Sequence, residues 1–128
     1  MKAIISIKPA YVTAILNGDK RCEYRRTIFK RTDVDTLAIY ATAPVKRVVA
    51  EVSIRGILTS TPQTLWERTH QYGGISKEQY MHYFHDTDTA HAIMLGTVHE
   101  FAQPLHLSQY ALTLTRPPQS YAYMPEHQ

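Results

Sequence analysis

Two stretches near the start of the chain hold the side chains best suited to chemistry: Ser6-Ile7-Lys8-Pro9 and Gly18-Asp19-Lys20-Arg21-Cys22-Glu23-Tyr24-Arg25. Pro9 suits the first turn of a helix, and the macrodipole makes that end positive, so Lys8 beside it is unfavourable for the helix alone. The pairing makes sense where an anion binds, held by Lys8 and the first-turn N–H groups. Lys20 arrives from the far end of the same helix and need not be near that anion. Glu23 and Arg25 are two apart, so on a strand they share a face, where they pair or together read one polar ligand. A solvated Glu–Arg pair, worth at most about 1 kcal/mol, accounts for the same spacing.

A second candidate is Ile39-Tyr40-Ala41-Thr42-Ala43-Pro44, a strand end passing into a turn. There Tyr40 offers a stacking face and Thr42 a hydroxyl, although a core tyrosine is the more frequent outcome at such a position. His82 and His85 are three apart with Asp86, Asp88 and His91 close behind, which raises a metal site. The Glu of a His-Glu-x-x-His helix is missing and no second dense ligand pair occurs, so no metal or other cofactor is expected. Cys22 alternates with Arg21 and Glu23 and therefore points to the packed side, as a core residue and not a nucleophile.

These residues need elements to position them. Residues 3–7 read as a buried strand, and Pro9, Val12, Ile15 and Leu16 as a helix stopped by Asn17-Gly18. Residues 21–26 alternate as a strand with one polar face, and 27–35 form a polar loop. Strands follow over 37–41 and 46–58, the second with Val48, Ala50, Val52 and Ile54 on one parity. Thr61 caps a helix that Pro62 opens and Gly73-Gly74 ends, and Ser76 starts a shorter one carrying Tyr80, Tyr83 and Phe84. Trp66, Tyr72, Tyr80, Tyr83 and Phe84 read as core packing. A last long strand covers 89–101. Three prolines keep 116–125 out of helices and central strands, so the tail over 116–128 is expected to lie extended over the surface. Strands dominate and helices intervene irregularly, which points to an α+β domain on a curved mixed sheet, as in a small barrel.

Composition sets the outer limits. At 128 residues with 44% apolar and 20% charged residues, the chain fits one domain over 1–128 with a real core. No apolar run reaches the roughly 18 residues of a membrane span, and the first apolar run is too short for a secretory signal. One cysteine excludes an internal disulfide and fits a reducing, cytoplasmic setting. The net charge of +3 divides unevenly: residues 1–64 hold eleven Lys/Arg against five Asp/Glu, residues 65–128 three against six. Lys20, Arg21, Arg25, Arg26, Lys30 and Arg31 fall within twelve residues, a local field suited to a polyanion.

The order Ile5-Ser6-Ile7-Lys8-Pro9, then Gly18-x-Lys20-x-x-Glu23-x-Arg25, then Ile39 to Pro44 and Ala50-Glu51-Val52 resembles the ASCH domain of the PUA-like superfamily. The resemblance covers most of the chain, and its first 55 residues are the specific part. It implies a small mixed β-barrel with peripheral short helices and a cleft beside the first helix. Lys8, Lys20, Glu23 and Arg25 would line that cleft, with RNA or a modified nucleoside as the expected ligand. In related single-domain members the cleft hydrolyses an acylated cytidine with a lysine, a threonine two residues before the arginine, and a more distant glutamate. Lys20 matches that lysine, but Glu23 stands where the threonine would be. Other relatives are metal-assisted ribonucleases. The favoured expectation is an RNA-binding module in which Lys8, Lys20 and Arg25 contact phosphate or base edges, Glu23 orients Arg25 or accepts from a base, and Tyr40 and Thr42 line the wall. The alternative is a hydrolase on a nucleoside or RNA, with Lys20 as base or Glu23 as general acid/base. A protein-interaction module, supported by the aromatic second half and the proline tail, ranks third.

Overall fold

Ala3, Ile5 and Ile7 alternate with Ile4 along β1 (Lys2–Ile7), and all four are buried, so the middle of this strand is covered on both faces. A computed structural model describing residues 1–124 shows what covers each side. After β1 come α1 (Pro9–Leu16), β2 (Cys22–Arg25), β3 (Thr36–Ala41), β4 (Arg47–Ser60), α2 (Pro62–Gly73), α3 (Lys77–Tyr83), β5 (Ala90–Leu105), α4 (Leu107–Tyr110) and β6 (Tyr121–Met124). The strands form one six-stranded sheet in the order β2-β5-β4-β3-β1-β6. β1 and β3 run parallel, from Lys2 opposite Thr36 to Ile7 opposite Ala41, and every other pairing is antiparallel. The sheet is therefore mixed, and it curves as a half-barrel with short helices around it, the α+β architecture expected.

Three apolar clusters hold the sheet. The inner one joins Ala3, Ile5 and Ile7 to Leu37, Ile39, Val52, Ile93 and, from α1, Val12 and Ile15. Burying each of those two α1 side chains contributes about 1.5–3 kcal/mol, which seats the helix over one end of the sheet. A second cluster, around Cys22, Tyr24, Leu65, Tyr80 and Phe84, fixes α2 and α3 against β2 and β5. On the outer face Ile4, Ala38, Tyr40 and Val48 meet Ala111 and Met124.

Two expectations are corrected here. Val48 does not share a face with Ala50 and Val52, because the β4–β5 register shifts between Val48 and Ala50 and sends Val48 to the outer cluster. The tail does more than lie over the surface: Tyr121–Met124 adds an edge strand antiparallel to β1, a place where flanking prolines are tolerated. Residues 125–128, the end of that expected tail, lie outside the described residues.

Candidate functional site

Helix α1 ends at Leu16, and Gly18 takes the left-handed conformation (φ +87°) that reverses the chain. The Lys20 N–H then donates to the Ala14 carbonyl at 3.0 Å, which brings Lys20 back under the helix. Its side chain is only 3% exposed, so the ammonium must find partners inside the protein. Nζ donates to the Gly73 carbonyl at 2.6 Å and lies 3.6 Å from Glu23 Oε1. The rings of Tyr11 and Tyr24 flank it, with centroids 5.2 and 5.4 Å away, at cation–π range.

The approach of α2 depends on glycine. A Cβ at position 73 would sit 2.6 Å from Tyr24 Oη, and one at 74 would sit 2.8 Å from Lys20 Cβ. Gly74 is moreover left-handed, at φ +61°. Tyr24 cannot easily yield, because its hydroxyl bonds Thr69 Oγ1 at 2.8 Å, and that hydroxyl in turn donates to the Leu65 carbonyl at 2.7 Å. Gly73-Gly74 thus ends the helix and also lets a backbone carbonyl reach Lys20.

Glu23 and Arg25 leave β2 on the same face, as their spacing requires. Arg25 donates to Glu23 Oε2 from Nη2 at 2.8 Å and from Nε at 3.1 Å, and Nη2 also donates to the Ser6 carbonyl at 2.9 Å. Glu23 therefore bridges two cations, Arg25 on one oxygen and Lys20 on the other, and the trio keeps one net positive charge. This is no solvated pair: Glu23 is buried and Arg25 is 14% exposed.

The trio forms the base of a cleft of about 420 Å³. Ser6, Ile7 and Lys8 close one side, with Lys8 exposed at the start of α1, where no side chain caps the helix. Tyr11 and Tyr24 also line it, as do Ile75 and, from α3, Gln79, His82 and Tyr83. Beyond Tyr83 the Arg26 guanidinium lies 5.0 Å from its ring centroid. Lys8, Lys20, Glu23 and Arg25 are thus brought together, and Lys20 and Lys8 share one cleft after all.

Tyr40 and Thr42 are not in that lining. Tyr40 points to the outer face and is buried with Ile4, Ala38 and Val48, because strand alternation puts it opposite Ile39 and Ala41. Thr42 is held in the turn after β3, its N–H on the Ile7 carbonyl at 3.0 Å and its own carbonyl accepting from Val45 at 3.1 Å. Tyr83 packs against the second cluster, as expected of a core residue, and also lines the cleft, which Tyr11, Gln79 and His82 join unforeseen. Among the described residues no three His, Cys, Asp or Glu side chains gather where one metal ion could be held. His85 pairs with Asp86 at 3.2 Å, and His91 Nδ1 bonds Thr59 Oγ1 at 2.8 Å.

A curved mixed sheet, one helix over its end and a cleft beside that helix define a PUA-like half-barrel. The chain belongs to the ASCH domain family, whose model matches residues 5–99. It is 34% identical over 125 residues to a Zymomonas mobilis protein named ASCH domain-containing ribonuclease, covering 96% of this chain and 84% of that one. The crystal structure of ASCH from Zymomonas mobilis superposes with a TM-score of 0.89 at 31% identity, over 98% of this chain and 89% of that chain. The N-terminal domain of McrB from Staphylothermus marinus shares the fold alone, with a TM-score of 0.53 at 12% identity over 89% and 81% of the two chains.

Proposed function

We propose that the cleft binds single-stranded RNA. The observation that carries this reading is the Lys20–Glu23–Arg25 trio, one net positive charge held at the base of a tyrosine-walled cleft. Guanidinium and ammonium groups beside ring faces are what a nucleotide needs: cations for phosphate or base edge, a π surface for the base. Lys8 adds charge at the rim, Glu23 orients Arg25, and Tyr11 and Tyr83 offer the ring faces. A relative named a ribonuclease supports RNA over other polyanions.

That name also favours a second reading, in which the bound strand is cut. The 2′-hydroxyl would attack the neighbouring phosphorus and the P–O5′ bond would break, one proton leaving the 2′-oxygen and one reaching the 5′-oxygen. The Glu23 oxygens and the Lys20 ammonium are engaged with each other and with Arg25 and Gly73, which suits the trio to stabilising developing charge. Proton transfer then falls to His82, exposed on the cleft wall and of the residue type most used for it. Hydrolysis of an acylated cytidine fits less well, since position 23 holds a carboxylate where a hydroxyl nucleophile is required.

The test is fluorescence anisotropy with labelled single-stranded RNA across a salt series, followed by gel analysis of the same RNA with and without a chelator. Binding that weakens as salt rises supports the RNA reading. No binding, or binding that salt leaves unchanged, overturns it. Products ending in a cyclic phosphate would establish the second reading.

A further inference from the structure

Lys20 and Arg21 are neighbours in sequence but serve opposite sides of one chain segment: Lys20 lines the cleft already described, and Arg21 lines another of about 470 Å³. The second cleft is formed with Arg55, Gly56, Leu58, Tyr72, Met94 and Leu95. We propose that Arg21 and Arg55 form a phosphate subsite that takes the backbone of an RNA strand leaving the main cleft. The assignment rests on the RNA reading above and extends it to the flanking nucleotides.

Both guanidiniums are placed by the fold. Arg21 is fixed through its backbone, its N–H donating to the Tyr72 carbonyl at 2.7 Å and its carbonyl accepting from Leu95 at 3.0 Å. Its guanidinium lies 5.0 Å from the Tyr72 ring centroid, which limits the side chain to one side of the cleft. Arg55 sits at an irregularity in β4: Ile54 pairs with Leu95 and Gly56 with Met94, so Arg55 is the extra residue of a bulge. Bulges re-aim a side chain, and here the re-aimed one enters the cleft. Gly96 permits this, since a Cβ there would sit 3.1 Å from Arg55 Cγ and 2.4 Å from Ser53 Oγ.

What is missing is a counter-charge. Among the described residues neither Arg21 nor Arg55 forms an ion pair, whereas Lys20, Arg25 and Arg31 each have a carboxylate. Both side chains are exposed at this cleft, and a phosphate bound there would take paired hydrogen bonds that match the guanidinium fork. The tyrosine ring and the apolar floor of Leu58, Met94 and Leu95 suit the base and sugar beside such a phosphate. The backbone of Tyr72 and Gly73 links residues of both clefts, its first carbonyl accepting from the Arg21 N–H and its second from Lys20 Nζ. A strand reaching from one cleft to the other would meet Arg25 and Lys20 in the first and Arg21 and Arg55 in the second.

The experiment compares the full chain with its Arg55→Ala and Arg21→Ala variants, using an RNA of about ten nucleotides and a mononucleotide, by anisotropy and NMR titration across a salt series. The expected result for each variant is about a three- to tenfold weaker affinity for the longer RNA, with a log–log salt slope flatter by about one, while the mononucleotide binds as before. Wild-type affinity and slope for the longer RNA in both variants would overturn the subsite. If the unaltered chain binds no RNA at all, the RNA reading falls separately, and titration with inorganic pyrophosphate decides the subsite. Amide shifts at Arg21, Arg55 and Tyr72 that vanish in Arg55→Ala retain it as an anion site; their absence removes it.

Discussion

Lys20 donates from Nζ to the carbonyl of Gly73 at 2.6 Å, so the cation at the base of the cleft is anchored by the last turn of α2 as well as by Glu23. Shape at two glycines is therefore a condition of the charge arrangement. Gly73→Ala is expected to lose about 1–3 kcal/mol, because the added methyl meets a tyrosine held by Thr69. Gly74→Ala adds a left-handed backbone penalty of about 1 kcal/mol and presses on the Lys20 stem, so it should also weaken RNA binding. Urea denaturation and anisotropy on the same samples check both; stability within about 0.5 kcal/mol of the parent for Gly73→Ala contradicts the close approach.

Removing the middle of the trio should cost more than removing an end. Glu23→Ala leaves two cations facing each other, one of them nearly inaccessible, and is expected to destabilise the fold by about 3 kcal/mol. Arg25→Ala frees Glu23 and the Ser6 carbonyl at the cleft surface, so about 1–2 kcal/mol is expected with the fold retained. Its RNA affinity should fall about tenfold or more, and Arg25→Lys should recover only part of that, since an ammonium lacks the fork. Circular dichroism separates loss of fold from loss of binding.

Glu51, on β4, accepts hydrogen bonds from Lys2 Nζ at 2.8 Å and from the Tyr110 hydroxyl. Burial raises its pKa, but those two bonds together with the charges of Lys2 and His99 outweigh burial and hold the carboxyl below its ordinary 4.5. A carboxyl depressed in the folded state adds stability above about pH 4.5 that is lost as pH falls through the lower folded value. Tyr110 is pushed up, by burial and then by Glu51, so its contribution is present below the usual tyrosine value of 10 and lost only as pH rises beyond it. Tyr110→Phe should cost about 1–2 kcal/mol at neutral pH and flatten the acid limb below pH 4.5, as read by urea midpoints from pH 3 to 7.

Cys22, on β2, is fully buried in the second cluster, and burial pushes its thiol up, more than Tyr24 and Lys20 draw it down. The native protein should leave a thiol reagent almost unreacted at neutral pH, with reaction appearing at the rate of global unfolding. Fast native labelling would contradict the packing of the second cluster.

Much of this was legible because it is local. The Pro9 start and Asn17-Gly18 stop of α1, and the two-residue spacing of Glu23 and Arg25, depend on a few neighbours and were read as they stand. Tyr40 was not, because β3 is covered on both faces and the cover of its outer face comes from Ala111 and Met124, some seventy and more residues further on. The partner of Lys20 was hidden in the same way: Gly73-Gly74 reads as a helix stop, and nothing in two glycines announces which lysine their carbonyl meets. Helix α4, only four residues long, is too short for periodicity to reveal.

The sheet ends on both sides in strands of four residues, β2 and β6. A rim that short offers an incoming strand little ladder on which to register, so open sheet edges need not become points of growth. The C-terminal strand is the more consequential of the two. By pairing with Lys2–Ile5 it shields the strand from which Ser6, Ile7 and Lys8 continue into the cleft, and a shortened chain lacking it would expose that strand to neighbouring molecules. Strand β6 thus covers the edge of the same strand that carries the cleft's first residues.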